Sequence, residues 1–151
     1  MYSLHCEIEI DAELEKVWDF ISHPRNLDRI TPEKMAFEIV SPVPEVMHNG
    51  MLVEYRIRLP LLGWKTWVSE LKHIIPGRSF VDEQRIGPYR FWYHEHRIER
   101  SGDKARMIDH VCYEVPYGII GRIMHPLFIR PVLEEIFRHR ERMLCNLLGP
   151  A

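Results

Sequence analysis

The sequence predicts an α+β fold in which a seven-stranded antiparallel sheet packs against a long C-terminal helix. Three observations support this class. Apolar and polar residues alternate with a period of two between residues 37 and 115. Short turn signals such as Asn49-Gly50 and Gly87-Pro88 separate the alternating runs. From Tyr117 onward the apolar residues recur at helical spacing. Because a sheet and an amphipathic helix each have an apolar face to cover, we expect the helix to lie across a curved sheet.

The composition predicts one globular domain over residues 1–151. Of the 151 residues, 46% are apolar and 28% are charged, and the net charge of -2 does not favour a nucleic-acid-binding protein. Cys6, Cys112 and Cys145 are widely spaced and form no CxxC motif, which indicates reduced thiols and a cytoplasmic location. No apolar run approaches the ~20 residues of a membrane span, so we expect no stable membrane insertion.

The N-terminal region predicts a strand followed by a short helical pair. Residues 4–10 alternate as a half-buried strand does. Asp11 then lies where a helix N-cap is expected, ahead of apolar residues at helical spacing up to Ile21. Pro24 interrupts this helix, and a second short helical turn ends before Thr31-Pro32.

The six remaining strands are predicted to form an antiparallel meander, because only short turns connect them. A loop is expected around residues 60–63, and Ser101-Gly102-Asp103 is expected to close the last hairpin. Pro126 and Pro131 are expected to divide the C-terminal region into a short helix and a long final one. The predicted strands cover residues 37–40, 51–59, 64–75, 79–86, 89–99 and 105–115.

The strand over residues 89–99 carries the most unusual pattern in the chain. Side chains alternate across a strand, so Trp92, His94, His96 and Ile98 share one face. The two apolar members indicate that this face points to the core. Two imidazoles on such a face need polar partners or a cavity.

The next hairpin provides one partner. If Ile98 pairs with Met107, then His96 is opposite Asp109, His94 opposite Val111, and Trp92 opposite Tyr113, all on the inward face. Opposed Cβ atoms lie about 4.5–5.5 Å apart, so His96 and Asp109 could form a hydrogen bond. This pair is the candidate catalytic acid or base. The alternative is a buried structural pair, which is the commoner role of two such groups, and a one-residue slip in register would separate them.

Two further polar features leave alternatives open. His94 and His96 could bind a metal with Asp109 or Glu83, but an isolated H-x-H pattern is common, so we predict no metal and no cofactor. Arg140 falls within the apolar stripe of the final helix. Its side chain either extends to the helix edge, which we favour, or reaches an inward carboxylate or a ligand anion.

Five short motifs along the chain are typical of one superfamily: Val17-Trp18-Asp19-Phe20-Ile21-Ser22, Phe80-Val81-Asp82-Glu83-Gln84, Gly87-Pro88, Trp92-x-His94-x-His96 and Tyr113-Glu114-Val115-Pro116. In these residues the chain resembles the START-like superfamily (SRPBCC, the polyketide cyclase/dehydrase and lipid-transport proteins), within a bacterial subgroup. The resemblance implies the helix-grip fold, in which a curved sheet wraps around the C-terminal helix, and a cavity between them for an apolar ligand. It also favours an inward Asp82 and Gln84 over Glu83 and Arg85.

Three functions are compatible with these observations. The favoured one is binding of a hydrophobic or amphipathic small molecule, such as a lipid or polyketide. The second is a cyclase or dehydratase in which His96 and Asp109 transfer protons, and the third is a partner-binding domain with a collapsed cavity. The candidate ligand-binding residues are Trp92, His94, His96, Asp109, Val111, Tyr113, Phe137, Arg140 and Leu144.

Overall fold

The computed structural model describes residues 1–59 and 63–149 and shows the predicted α+β architecture. Seven antiparallel strands form one curved sheet, and a long C-terminal helix packs on it, as in the helix-grip fold. The regular elements are β1 (Tyr2–Ile10), α1 (Leu14–Ile21), β2 (Glu38–Ile39), β3 (Met51–Leu59), β4 (Gly63–Ile75), β5 (Ser79–Ile86), β6 (Phe91–Ser101), β7 (Lys104–Glu114), α2 (Gly118–Met124) and α3 (Arg130–Leu148).

The strands follow the order β1-β7-β6-β5-β4-β3-β2. The consecutive strands from β2 to β7 form the predicted meander. The first strand pairs with the last, which requires a contact between distant parts of the chain. The predicted register of the β6–β7 hairpin is confirmed, since Ile98 pairs with Met107 and His96 with Asp109.

Several element boundaries differ from the sequence-based prediction. Helix α1 begins at Leu14, with Glu13 rather than Asp11 at its N-cap. The second member of the helical pair is a 3-10 helix, Pro24–Ile30, followed by a 3-10 turn, Glu33–Met35. Strand β2 has only two residues. Most of the loop predicted at residues 60–63 lies outside the described residues, and Gly63 already belongs to β4.

The C-terminal helices are divided close to Pro126, as predicted. A π-helical turn, His125–Ile129, contains this proline and joins α2 to α3. Pro131 does not divide a helix, because it lies in the first turn of α3, where its missing N–H costs no hydrogen bond.

Irregularities in β4 accompany the curvature of the sheet. The pairing of β4 with β5 shifts register between Val68 and Ser69 and again between Lys72 and Ile75. Such irregularities bend and twist a strand. Helix α3 adds Leu133, Ile136 and Phe137 to one apolar cluster, and Leu144 and Leu148 to another. The helix thus covers the inward face of the strands.

None of the described helices is long and apolar enough to cross a membrane.

Candidate functional site

A cavity of about 180 Å³ lies between the sheet and α3. An apolar cavity of ~150 Å³ is sufficient for a benzene molecule, so this space is large enough for a small aromatic or aliphatic group. Its walls are mainly apolar and aromatic, including Trp67, Phe80 and Ile136. Among the polar groups that line it are Asp82, His94, His96, Asp109 and Arg140.

Four of these polar residues form one cluster across three adjacent strands. Asp82 on β5 is directly opposite His94 on β6, and Asp109 on β7 is directly opposite His96. Each aspartate is therefore diagonal to the other histidine, at a distance that side chains of this length can span. We call Asp82, His94, His96 and Asp109 the His–Asp cluster.

The aligned hydrogen bonds of the cluster run along the diagonals. His94 Nε2 lies 2.9 Å from Asp109 Oδ1, and His96 Nε2 lies 2.9 Å from Asp82 Oδ2. The predicted contact of His96 with Asp109 is present, since Nδ1 lies 2.8 Å from Oδ1, but it lacks hydrogen-bond alignment. His94 Nδ1 lies 3.2 Å from Asp82 Oδ2. All four imidazole nitrogens thus face a carboxylate oxygen.

Neighbouring rings hold the cluster in place. The two imidazole centroids are 3.7 Å apart, and the ring of Phe80 stacks on His96 at 4.3 Å. The indole N–H of Trp92 donates a hydrogen bond to Asp82 Oδ1 over 3.3 Å. His94 is only 1% exposed, and Asp109 is 14% exposed. This enclosure limits the rotation of all four side chains.

The cluster shifts the pKa of its members in opposite directions. Burial lowers the pKa of His96, but the hydrogen bonds and charges of Asp109 and Asp82 outweigh burial and raise it to about 9. Burial raises the pKa of Asp82. The charges of His94 and His96, and their hydrogen bonds with Asp82, outweigh burial and lower the pKa well below its usual range. The same two histidines lower the pKa of Asp109, against the effect of burial. At neutral pH His96 is therefore an imidazolium between two carboxylates.

This protonation pattern determines what the cluster can do chemically. A charged His96 can donate a proton or a hydrogen bond, whereas a general base must first lose its proton. The charge of His96 is balanced by the two carboxylates beside it, which favours its burial.

One atom each from Asp82, His94 and His96 lies within 4.8 Å of the others, so these three residues could hold a metal ion. A metal would need neutral imidazoles and would replace hydrogen bonds that the nitrogens already make. The contacts of the cluster favour an ion-pair network over coordination.

Arg140 differs from the cluster because no carboxylate pairs with it. Arg140 is one of the residues that line the cavity, and its guanidinium carbon lies 5.5 Å from the ring centroid of Phe137. Within the described parts of the chain, no carboxylate oxygen lies within 4.0 Å of its nitrogens, and its buried Nε has no hydrogen-bond partner. An inward carboxylate is therefore not the partner of Arg140 among the described residues, which leaves extension to the helix edge or contact with a ligand anion as its two roles.

The hydroxyl of Tyr55 lies close enough to Arg140 for the guanidinium charge to affect its pKa. Burial raises the pKa of its hydroxyl above the usual range, the charge of Asp82 adds to this rise, and the charge of Arg140 opposes it. Arg140 on α3 and Asp82 on β5 thus both affect the pKa of Tyr55, which lines the same cavity.

The structure brings seven of the nine candidate ligand-binding residues to the cavity and leaves two outside its lining. Val111 and Tyr113 lie on the predicted inward face, but both are packed in an apolar cluster. The Tyr113 hydroxyl lies 2.8 Å from His125 Nε2, so the turn after α2 occupies its polar end. The seven that line the cavity are Trp92, His94, His96, Asp109, Phe137, Arg140 and Leu144.

Asp82 is the main residue to which the sequence assigned no role. Its inward position agrees with the first of the two orientations considered for β5. Gln84 does not line the cavity, because its side chain bonds the backbone N–H and C=O of Tyr89 and closes the turn at Gly87. Glu83 pairs with Lys72, and Arg85 pairs with Glu70 at 3.6 Å, both away from the cavity. The sequence did not assign Asp82 to the cluster because it did not predict the register in which β5 pairs with β6.

Comparison with known proteins identifies the family and the fold. A family model described as a domain of unknown function (DUF8410) matches residues 60–148, more than half of the chain. None of the curated proteins matches.

Solved structures of low sequence identity share the fold. The aromatase/cyclase Zhui from Streptomyces sp. R1128 is 13% identical with a TM-score of 0.75, over 97% of this chain and 93% of that one. A START superfamily protein from Mycobacterium smegmatis is 12% identical with a TM-score of 0.71, over 98% and 97%. Protein CV1439 from Chromobacterium violaceum is 11% identical with a TM-score of 0.75, over the whole of both chains. The chain therefore belongs to the DUF8410 family and has the START-like helix-grip fold.

Proposed function

We propose that the chain acts as a single ligand-binding domain whose cavity takes an amphipathic small molecule with an apolar body and an anionic end. The observation that carries this proposal is Arg140, which lines a mainly apolar cavity, has a buried Nε without a hydrogen-bond partner, and makes no ion pair with a carboxylate among the described residues. A ligand carboxylate, phenolate or enolate would supply that partner through a charge-assisted hydrogen bond.

The rest of the cavity supports the same ligand class. Trp92, Phe137 and Leu144 provide apolar surface for the body of the ligand. The carboxylates of the His–Asp cluster are paired with its own imidazoles, and neither forms an ion pair with Arg140 among the described residues. The open space also supports binding over a domain with a collapsed interior.

The direct test compares 2-naphthoate with 2-naphthamide by isothermal titration calorimetry. The two molecules have nearly the same shape, but only the naphthoate is an anion. We expect naphthoate to bind at least ten times more tightly, because a hydrogen bond between charged groups contributes roughly 1.5–3 kcal/mol. Arg140→Gln should remove this preference and leave naphthamide binding unchanged.

Arg138→Gln is the matched control, because Arg138 lies on the same helix and is exposed. It should retain the preference for naphthoate. Equal affinity for the two molecules in the unmodified protein, or no binding of either, would contradict the proposal.

The second candidate function is a cyclase or dehydratase, and the raised pKa of His96 favours it. A protonated imidazole held between Asp82 and Asp109 could donate a proton to a ketone oxygen or to a leaving hydroxyl. The test is exchange of the methyl-ketone protons of 2-acetylnaphthalene in D2O, monitored by NMR. In this reaction His96 would protonate the carbonyl oxygen while water removes a methyl proton to give the enol, and return of the enol to the ketone would add deuterium to the methyl carbon. His96→Gln should abolish any exchange that the protein accelerates, and unchanged exchange in this variant would exclude the role of His96.

A further inference from the structure

Residues 117–128 present large apolar side chains to solvent. Six of them, between 46% and 74% exposed, are Tyr117, Ile119, Ile120, Ile123, Leu127 and Phe128. We call residues 117–128 the apolar segment. The other exposed large apolar residues, such as Leu52 and Ile86, are scattered along the chain. A contiguous exposed apolar patch marks an interaction surface far more often than single residues do.

The segment is attached to the domain by its small and polar residues. In α2, Gly121 is the buried residue, and a Cβ at this position would lie 1.9 Å from the carbonyl oxygen of Pro116. His125 is buried against Tyr113 and stacks on Tyr2 with ring centroids 3.6 Å apart. Because Gly121 and His125 form the inner side, the larger isoleucines, leucine and phenylalanine are left on the outer side.

The charge around the segment is positive. No aspartate or glutamate occurs between Glu114 and Glu134, whereas Arg122 and Arg130 do, in a chain with a net charge of -2. Arg130 pairs with Glu134 at 2.9 Å, so Arg122 supplies the uncompensated charge. Arg122 is exposed, and it makes no ion pair within the described residues. Apolar side chains next to unpaired arginine are the combination that binds an anionic lipid surface, where the apolar groups enter the acyl boundary and the cations meet the headgroups.

We propose that the apolar segment docks the domain onto an anionic phospholipid bilayer. A second copy of the chain fits this surface less well, because residues 115–133 of that copy would bring no aspartate or glutamate to pair with Arg122. The segment lies at the surface of the bilayer and does not cross it. This surface is separate from the cavity, so its role goes beyond the proposed ligand binding.

The experiment is co-sedimentation with vesicles of phosphatidylcholine, with and without phosphatidylglycerol. We expect binding to the vesicles that contain phosphatidylglycerol, and weaker binding at high salt. The double variant Ile119→Asp/Ile123→Asp should lose this binding. Arg122→Gln should weaken it about fivefold, the contribution of one arginine near an anionic surface.

Leu52→Asp is the matched control, because Leu52 is 56% exposed on β3 and is not part of the segment. It should bind vesicles as the unmodified protein does. All variants should keep the circular dichroism spectrum and the naphthoate binding, so a failure of docking is distinguished from a failure of the cavity proposal. Absence of vesicle binding, equal binding to both vesicle types, or a vesicle-free dimer that the double variant dissociates would overturn the proposal.

Discussion

The His–Asp cluster and the apolar segment are opposite exceptions to the usual arrangement, in which charged side chains face solvent and large apolar side chains are buried. The cluster buries four ionisable side chains, whereas the segment exposes six large apolar ones. The cluster finds its partners within the chain, because three neighbouring strands place carboxylates against every imidazole nitrogen. The segment finds no such cover within the described residues. The cluster is thus part of the folded interior, whereas the apolar side chains of the segment remain exposed and are available for the membrane contact proposed above.

The largest expected effect is on the cluster. Asp109→Ala removes a carboxylate that faces both imidazoles, so the buried charge of His96 loses one of its two partners and His94 Nε2 loses its hydrogen bond. We expect the free energy of unfolding to fall by about 4 kcal/mol, as for other broken buried ion pairs. Urea unfolding measures this. Glu99→Ala in the same hairpin is the control, because its pair with Arg106 is exposed, and it should cost less than about 1 kcal/mol. Similar losses in the two variants would mean that the cluster is not a buried ion-pair network.

The second-largest expected effect is a decrease in the free energy of unfolding as the pH rises. The pKa of His96 is about 9 in the folded protein against a usual 6.5, so its stabilising contribution is complete below pH 6.5 and is lost as the pH rises through 9. The lowered pKa values of Asp82 and Asp109 make their contributions present above their usual values and lost only in strong acid. Stability should therefore decrease between pH 6.5 and pH 9, by about 3 kcal/mol.

Urea unfolding at a series of pH values tests this expectation. His96→Gln should flatten the decrease, because glutamine does not titrate. If the variant and the unmodified protein showed parallel pH dependences, another group would be responsible.

The smallest effect concerns the contact between the sheet and the apolar segment. Tyr113→Phe removes the hydroxyl that bonds His125, and we expect a loss of about 1 kcal/mol, the usual value of one such hydrogen bond. Hydrogen exchange should increase within residues 117–128 more than in the His–Asp cluster. Tyr93→Phe, on the opposite face of β6, should change neither quantity. Uniformly faster exchange throughout the sheet would show that the segment is not anchored locally.

Local patterns in the sequence were sufficient to predict the architecture and some of the residues of the candidate site. The alternation of β6 correctly placed Trp92, His94, His96 and Ile98 on the buried face. The short turn at Gly102 set the register that brings His96 opposite Asp109. Both inferences worked because side-chain direction in a strand has a period of two and a short hairpin loop limits the possible pairings.

Contacts between distant residues could not be predicted in the same way. Asp82 enters the cluster because of the pairing of β5 with β6, whose longer turn at Gly87 and Tyr89 allows more than one register. Tyr113 has the predicted direction but lies outside the cavity, because His125 packs over its hydroxyl. An inward direction along a strand does not specify which part of the interior a side chain reaches.

The sequence by itself determined the elements, the faces of the strands and the position of two imidazoles in the interior, since these depend on periodicity and turn chemistry between near neighbours. The tertiary structure decided three further features: the completion of the cluster by Asp82, the position of Arg140 at the cavity wall, and the exposure of residues 117–128. An apolar helical pattern is the same in sequence whether another element covers it or not. Only the packing of the whole chain shows that this one remains at the surface.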